Sequence, residues 1–453
     1  MPLGPSTIDV AIIGGGFSGT MLAAQLARRG VSSVIVEKAG RAGRGTAFST
    51  LEPRHLLNVP ASAMSAWPDR PGDFVAWLEA NASEDAVGAD GFAQRRHFGA
   101  YLGAILDQAI ASGLVHVIDG EAVTARPSAG PGQDPDGGGW RVTLRDGAAV
   151  VAKGLALANG NQPPDALRLP GAEDDNRVVS DPWSAAGAAR IAQAARDQSA
   201  VLIVGTGLTM MDVVLSLDAA GHTGQVTAVS RRGLLHQAHA EVAAEEVAAG
   251  DVPAGLLPLW RWLRRRVAGG DDWRAVIDSL RPMSGALWRG LSVAEQKRFM
   301  RHARPWWDVR RHRIAPAVAQ TIARRQAEGR LEIIAGRIER AEADAAGIAV
   351  TIARRHGGEA VRTVGLVVNS TGPLHALART RDPLLRQMLD DGLVAPDPLG
   401  IGIACGEGDA AVGSTRLWVL GALTKARRWE IIAVPDISGQ AESVAEDAAA
   451  AFG

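Results

Sequence analysis

Two glycine-rich turns, each set between an apolar stretch and a helical pattern, constrain the fold of this chain more than any other feature. Gly14-x-Gly16-x-x-Gly19 follows the apolar residues 10–13, and Gly205-x-Gly207 follows the apolar residues 201–204. In such a turn the first glycine permits a tight bend, the second lets the backbone approach a ligand, and the third lets the helix pack close to the strand. The sequence therefore predicts two doubly wound α/β units, each opened by a strand, a turn and a helix.

The residues that close each unit's second strand differ in charge. Residues 34–36 are apolar and end in Glu37, whereas residues 226–229 end in Ser230, Arg231 and Arg232. A carboxylate in this place accepts hydrogen bonds from ribose hydroxyls, while guanidinium groups suit a ribose that carries a phosphate. We therefore expect two Rossmann-like dinucleotide-binding domains, the first for FAD and the second for NADPH, with hydride transfer between the two cofactors.

The two turns are not equally specific. Glu37 follows Gly14 by 23 positions, close to the roughly 20 expected for the ribose-binding acid. The second turn has Met210 in place of its third glycine, so a second unit that binds no ligand stays open. Arg231 and Arg232 argue against that alternative, although Arg232 alone could be a solvated turn residue.

Apolar stretches recur along the rest of the chain in an order that indicates a discontinuous first domain. The second domain is predicted to be inserted into the first: the FAD-binding domain covers 1–195 and 365–453, and the NADPH-binding domain covers 196–364 with a helical insert at about 236–326. The further strands that we expect are 115–118, 140–144, 155–158, 331–334, 348–352, 364–368 and 418–421.

Composition excludes several classes of function. A formal net charge of -1 gives no long-range attraction to nucleic acid or to an anionic membrane. Cys405 is the only cysteine, which rules out a disulfide framework and a Cys-x-x-Cys redox pair. His236 and His239 lack a third ligand at metal spacing, so no metal site is expected. Without a signal-like start or an apolar run of roughly 20 residues, a cytoplasmic protein is expected.

The whole chain resembles the bacterial FAD/NAD(P)-binding proteins of the two-dinucleotide-binding-domain flavoprotein superfamily, which is glutathione-reductase-like in fold, in a branch related to class B flavin monooxygenases. The stretches that carry the resemblance are 10–19, 43–48, 57–61 with Met64 and Ser65, 180–183, 205–209, 304–308 with His312 and Arg313, and Gly421 with Trp429, Glu430 and 433–435.

Together, the turns and the resemblance imply two sets of cofactor-binding residues. Those expected at FAD are Gly14, Gly16, Phe17, Ser18, Gly19, Glu37, Lys38, Gly45, Thr46, Asn58, Val59, Met64, Gly160, Gly421 and Val434. Those expected at NADPH are Gly205, Gly207, Thr209, Ser230, Arg231 and Arg232.

The residues expected near the reacting atoms are Asn58, His312, Arg313, Trp429 and Glu430. For Asn58, a loop-stabilising amide is an equally good interpretation. The basic run 310–313 could form a pocket for an anionic substrate, contact the phosphate of NADPH, or simply cap a helix end. Baeyer–Villiger enzymes carry a histidine between residues 171 and 183 of such a chain; here that stretch has none, so ketone oxygenation is not expected.

The function expected from these features is a monooxygenase that uses FAD, NADPH and O2 on a small polar molecule, with N-hydroxylation preferred. Two alternatives remain: a flavin reductase or dehydrogenase that does not oxygenate, and a non-catalytic flavoprotein that senses redox state. No nucleic-acid or membrane partner is expected, and self-association is left open.

Overall fold

The protein's structure is a computed structural model that describes residues 8–128, 139–167, 169–172, 175–242, 246–414 and 416–452. Its strands are β1 Ile8–Ile13, β2 Ser33–Glu37, β3 Val115–Asp119, β4 Ala122–Ser128, β5 Gly139–Leu144, β6 Ala149–Leu157, β7 Val178–Val179, β8 Val201–Val204, β9 Val226–Ser230, β10 Leu331–Ala343, β11 Ile348–Arg354, β12 Glu359–Val364, β13 Leu366–Asn369 and β14 Leu417–Val419.

The α-helices alternate with these strands and cluster between β9 and β10. They are α1 Phe17–Arg28, α2 Gly45–Phe48, α3 Asp73–Asn81, α4 Arg95–Ala111, α5 Ala185–Arg196, α6 Leu208–Ala219, α7 Leu256–Ala268, α8 Trp273–Ser279, α9 Ser284–Gly290, α10 Val293–Arg298, α11 Arg304–Arg311, α12 Pro316–Ala327, α13 Pro383–Asp390 and α14 Val434–Phe452. A π-helical turn, Phe299–Ala303, joins α10 to α11.

The strands form two sheets of the same design. The first has the order β3-β2-β1-β6-β5-β4, with β14 also paired to β6; the second has the order β12-β11-β10-β9-β8-β13-β7. In each sheet the strands beside the glycine-rich turn run parallel, and three strands at one side form an antiparallel meander. The predicted pair of doubly wound α/β units is confirmed.

Alternate residues of the central strands enter opposite cores. Val10 and Ile12 of β1 pack with α1, α4 and α14, whereas Ala11 and Ile13 pack on the other face with α13. In β8, Ile203 packs on one face of the second sheet and Leu202 packs on the other. A strand covered on both faces must be apolar at every position, which is why these stretches are continuous apolar runs.

In chain order, every strand of the second sheet lies between β6 and β14 of the first. This sheet nevertheless reaches beyond the range 196–364 predicted for the second domain, because β7 and β13 both belong to it. The domain boundaries stay a prediction, but a division that respects the sheet would place 178–369 together. β4, β7 and β12 are strands that the sequence patterns did not predict.

A buried ion pair joins helices of the two units. The Arg95 guanidinium on α4 donates to both carboxylate oxygens of Asp212 on α6, at 2.9 and 3.0 Å. Its Nε donates to the carbonyl of Leu56 at 3.0 Å, and the two side chains are only 13% and 6% exposed. The pair holds the first unit against the helix that follows the second glycine-rich turn.

Removal of this guanidinium should destabilise the protein, because the Asp212 carboxylate would then be buried without a partner. We expect Arg95→Met to lower the free energy of unfolding by about 3–5 kcal/mol, measured by urea denaturation. As a control, Arg126→Met breaks an exposed ion pair with Asp391 and should shift the denaturation midpoint little. Equal midpoints for the Arg95 variant and the parent would contradict the assigned role of the pair.

Candidate functional site

The first glycine-rich turn lies directly against the end of the neighbouring strand. Gly14 has a φ of +104°, and a Cβ added to it would lie 2.4 Å from the carbonyl oxygen of Ala158, which follows β6. A Cβ on Gly19 would lie 1.9 Å from the carbonyl oxygen of Gly14. Larger residues therefore do not fit here, and the turn sits at the crevice where the strand order reverses between β1 and β6.

The start of α1 suits an anionic group. Gly16 occupies the N-cap position, so no side chain accepts a hydrogen bond from the first free N–H groups of the helix. These groups and the helix dipole favour phosphate. Phe17 is buried, whereas Ser18 is half-buried at the crevice side. The turn thus fits the pyrophosphate of a dinucleotide.

Glu37, at the end of β2, is fixed at the edge of this turn. Its Oε2 accepts a hydrogen bond from the N–H of Gly15 at 2.7 Å, and its Oε1 accepts one from Ala39 at 2.8 Å. Because a carboxylate has about four acceptor positions, two remain for ribose hydroxyls. Lys38 is exposed and points towards Glu121 and Asp382, at 3.9 and 3.7 Å.

Residues 45–64 form a covering segment beside the turn. Gly45 lies so close that its Cβ would be 2.9 Å from the Cα of Gly16; Thr46 is exposed and Met64 is buried. Val59 and Asn58 are half-buried, and the Asn58 carbonyl accepts a hydrogen bond from His239 at 2.8 Å. The Asn58 side chain has no hydrogen-bond partner among the described residues, so its amide is available to a ligand.

The end of the chain also reaches the first turn. Gly421, which follows β14, has a φ of +65°, and a Cβ there would lie 2.7 Å from the Ser18 hydroxyl oxygen. Its N–H donates to Gln440 of α14 at 2.8 Å, and Val434 begins that helix. Residues from both ends of the sequence therefore meet at one crevice.

The residues after β6 carry an unsatisfied polar atom. The Asn159 Oδ1 is buried and has no hydrogen-bond partner among the described residues, and the next residue, Gly160, has a φ of +69°. A buried polar atom without a partner is costly unless a ligand or water supplies one. Together with the turn and Glu37, this atom makes the crevice a good fit for FAD.

The second turn repeats the design of the first. Gly205 has a φ of +114°, and its Cβ would lie 2.1 Å from the carbonyl oxygen of Ser370, which follows β13. Gly207 is the N-cap of α6 without a side-chain cap, and Thr209 is the second residue of that helix. Met210 at the third position is buried, so the fold accommodates it in the core of this unit.

The Ser230 hydroxyl, at the second crevice, is held by neighbouring residues. Its hydroxyl lies 2.9 Å from that of Thr206 and accepts a hydrogen bond from the N–H of Gly233 at 3.0 Å. Arg231 is exposed and Arg232 is half-buried. Neither guanidinium has an acidic partner among the described residues. Two uncompensated cations at this strand end fit the phosphate of NADPH.

Glu430, one of the residues expected near the reacting atoms, is bound by Arg311. The Arg311 Nη2 and Nε donate to Oε2 of Glu430 at 2.7 and 3.0 Å, and Trp307 Nε1 donates to Oε1 at 3.3 Å. The Arg311 and Glu430 side chains are 9% and 7% exposed. Glu430 therefore anchors α11 to the segment after β14.

Three other residues expected near the reacting atoms flank this ion pair in the sequence: His312 and Arg313 follow Arg311, and Trp429 precedes Glu430. The Trp429 ring stacks on Trp288 with centroids 4.6 Å apart. Burial lowers the pKa of His312 to about 3, so its ring is neutral at physiological pH. Arg313 is buried and paired with Asp278 of α8, which gives its charge a structural partner.

Sequence reasoning missed a polar cluster between α11 and the residues that follow β6, β13 and β14. The Arg304 guanidinium contacts Asp308 at 3.1 Å and the His375 ring at 3.2 Å, and Lys425 donates to the Asn161 side chain at 3.2 Å. Burial raises the pKa of Asp308 and lowers that of His375 to about 3. No local motif marks His375 or Lys425, because only the fold brings them together.

Lys425 is the most perturbed cation of this cluster. Burial, and then the nearby Arg304 charge, lower its pKa to about 8, and it makes no ion pair with an acid among the described residues. Such an ammonium suits an anionic group of a ligand.

The described residues lack two features. They contain no group of three or more His, Cys, Asp or Glu side chains that could hold a metal ion. Within the same part of the chain, no helix is both long and apolar enough to cross a membrane.

Comparison with known proteins supports the sequence-based expectation of an FAD/NAD(P)-binding domain. Residues 11–162 match the FAD-NAD(P)-binding family model. This stretch contains the first glycine-rich turn, Glu37 and Asn159. A search of the curated proteins found no match.

Solved flavoproteins share the fold over almost the whole chain. An ornithine hydroxylase from Pseudomonas aeruginosa is 18% identical, with a TM-score of 0.66, covering 99% of this chain and 100% of that one. The Kutzneria sp. 744 ornithine N-hydroxylase, whose structure includes reduced FAD, NADP+ and L-ornithine, is 17% identical with a TM-score of 0.64 and covers 99% and 100%.

A thioredoxin reductase from T. acidophilum is 13% identical, with a TM-score of 0.55, covering 98% of this chain and 99% of that one. The expected fold of two doubly wound α/β units is therefore confirmed, and hydroxylases and reductases share it.

The lowered pKa of Lys425 predicts a pH-dependent effect of its removal. The ordinary pKa of 10.5 falls to about 8 on folding, so the buried ammonium costs stability below pH 8 and costs none above pH 10.5. Lys425→Met should therefore raise the free energy of unfolding at pH 7 by roughly 1–3 kcal/mol. This gain should decline as the pH rises from 8 to 10.5.

Urea denaturation at several pH values measures this difference. The matched control is Lys297→Met on exposed α10, which should show no such trend. A constant difference between the Lys425 variant and the parent over this pH range would refute the burial of the charge.

Proposed function

We propose that the protein is an oxidoreductase that uses FAD and NADPH, and that it acts as a monooxygenase on the nitrogen of a small amine. The observation that carries this proposal is the pair of matched crevices with opposite charge. Glu37 closes the first, and the uncompensated Arg231 and Arg232 close the second.

In the first crevice, Gly14, Gly16 and Gly19 would admit the pyrophosphate of FAD, and Glu37 would hold the adenosine ribose. Asn58, with an unpartnered amide, and Asn159, with a buried unpartnered oxygen, would bind polar atoms of the flavin half. The half-buried Ser18 and the Gly421 backbone beside it would complete the wall.

In the second crevice, the first turn of α6, from Gly207 to Thr209, would hold the pyrophosphate of NADPH. Arg231 and Arg232 would bind the phosphate on its ribose as two charge-assisted donors. Thr206 and Ser230 fix the backbone of this crevice through their hydroxyl contact of 2.9 Å. We propose that the strands β7–β13 form this NADPH-binding unit.

Bound FAD would supply the redox chemistry, accepting hydride from NADPH and reacting with O2 once reduced. The balanced reaction for a primary amine is R–NH2 + O2 + NADPH + H+ → R–NHOH + H2O + NADP+. The chain's own contribution is to bind, to orient and to exclude water.

Several observations favour oxygenation over disulfide reduction. The fold is shared with two ornithine hydroxylases, and the chain has a single cysteine. Burial raises the pKa of that residue, Cys405, to about 12, so its thiol is protonated and poorly reactive.

A second candidate is a reductase that passes electrons from NADPH to a carrier without oxygenation. The shared fold with a thioredoxin reductase supports it. It would need an acceptor other than a dithiol of this chain.

The proposed function is tested with purified protein. We expect flavin absorbance, bleaching of that absorbance by NADPH without oxygen, and NADPH oxidation in air that yields a product one oxygen atom heavier than the amine. Protein that binds no FAD even when FAD is added would refute the proposal. Hydrogen peroxide in an amount equal to the NADPH oxidised would favour the reductase instead.

Loss of the two guanidinium groups should weaken NADPH binding selectively. Since a hydrogen bond to a charged group contributes about 1.5–3 kcal/mol, Arg231→Ser with Arg232→Ser should raise the apparent KM for NADPH on the order of 10- to 100-fold. The KM for NADH should stay unchanged, because NADH lacks the phosphate. Flavin reduction rates measure both values.

The control for this pair is Arg340→Ser, which removes an exposed arginine near the far end of β10 and should alter neither KM. An equal rise in KM for NADPH and NADH in the double variant would show that the arginines do not read the phosphate.

A further inference from the structure

An apolar cavity of about 60 Å3 lies in the segment Leu256–Arg311, which we call the helical cap, at its contact with Trp429. Leucine, tryptophan and phenylalanine side chains form its wall, and Ser284 supplies the one hydroxyl among the lining residues. A concave apolar site of this kind beside a polar centre is typical of ligand pockets.

The aromatic side of the cavity is held in place by stacking and hydrogen bonds, and it offers a ligand an apolar surface. Trp288 stacks on Trp429 with centroids 4.6 Å apart. Its Nε1 donates to the carbonyl of Ala426 at 2.7 Å, and the Nε1 of Trp307 donates to Glu430 at 3.3 Å. Because the polar N–H groups of these two indoles are already satisfied by protein, a ligand would meet only apolar ring surface.

The leucine side of the cavity is partly exposed to solvent. Leu259 and Leu263 of α7 lie one turn apart on the face that lines the cavity, and no residue of α7 is buried. Exposed apolar surface forgoes roughly 25 cal/mol per Å2 of stabilisation. A hydrocarbon group in the cavity would recover part of that energy.

The chain segment after β14 connects the cavity to the first crevice. The cap is fastened to the segment after β14 by the Trp288–Ala426 hydrogen bond and by the buried Arg311–Glu430 pair. The same segment begins at Gly421, which touches the first glycine-rich turn. In addition, Phe299 of the cavity wall begins the π-helical turn, and such turns are frequent at functional sites.

We propose that this cavity binds the hydrocarbon part of the substrate, and that the substrate is a primary amine with an alkyl chain rather than a molecule that is polar throughout. The inference rests on the proposed function, since the amine is the group to be oxidised. A chain suits the volume better than a ring, because an engineered apolar cavity that accepts benzene measures roughly 150 Å3.

The test is a calorimetric titration of the oxidised, flavin-loaded protein with ethylamine, butylamine, hexylamine and octylamine. The Kd should fall roughly fourfold for each added methylene until the cavity is full, with a negative heat-capacity change. A Kd that does not depend on chain length would overturn the proposal.

Three variants locate the binding. Leu287→Trp fills the cavity and should abolish the dependence on chain length, whereas Leu257→Trp changes a residue of α7 that is 52% exposed and should preserve it. Leu259→Ala removes three carbon atoms from the wall and should move the plateau to longer amines. If the Leu287 variant does not fold, an unchanged plateau in Leu259→Ala overturns the proposal by itself.

The two proposals fail in different ways. Protein that binds alkylamines by chain length but shows no NADPH-driven bleaching of flavin would refute the proposed function and leave the hydrocarbon site standing. Protein that shows normal bleaching but binds all amines equally would refute the hydrocarbon site alone.

Discussion

Close backbone contact between a glycine-rich turn and the end of the adjacent strand is the constraint from which both crevices follow. Gly14 lies against the carbonyl of Ala158, and Gly205 lies against that of Ser370, so closely that added Cβ atoms would be 2.4 and 2.1 Å from the two oxygens. A side chain at either place would push the turn off the sheet. With glycine there, helix N-termini face the points where the strand order reverses, and each sheet gains a site for a phosphate-bearing ligand.

Two buried ion pairs then fix the positions of the two units and of the helical cap relative to one another. Arg95 with Asp212 joins the first unit to α6 of the second, and Arg311 with Glu430 fastens the helical cap beside the first crevice. A buried ion pair requires a defined geometry, because either partner alone would be a buried charge without compensation. They hold the two crevices and the apolar cavity in a fixed arrangement.

Much of the fold could be predicted from local pattern, since the central parallel strands are buried on both faces and are therefore apolar throughout. Residues 10–13 and 201–204 are examples. β4 and β12 were not predicted, because β4 contains Pro127 and because an exposed valine, Val361, and a half-buried arginine, Arg362, disturb the alternation of β12. β7 has only two residues, and it exists as a strand only because β13 offers it an edge to pair with.

The sequence by itself determined the two turns, the carboxylate of Glu37 and the guanidinium groups of Arg231 and Arg232, because these features depend on residues close together in the chain. Only the tertiary structure decided that Glu430 binds Arg311 and that Lys425 loses much of its basicity. It alone formed an apolar cavity from the helical cap and Trp429. Such features depend on burial and on contacts between distant segments, and neither leaves a periodic or local mark in the sequence.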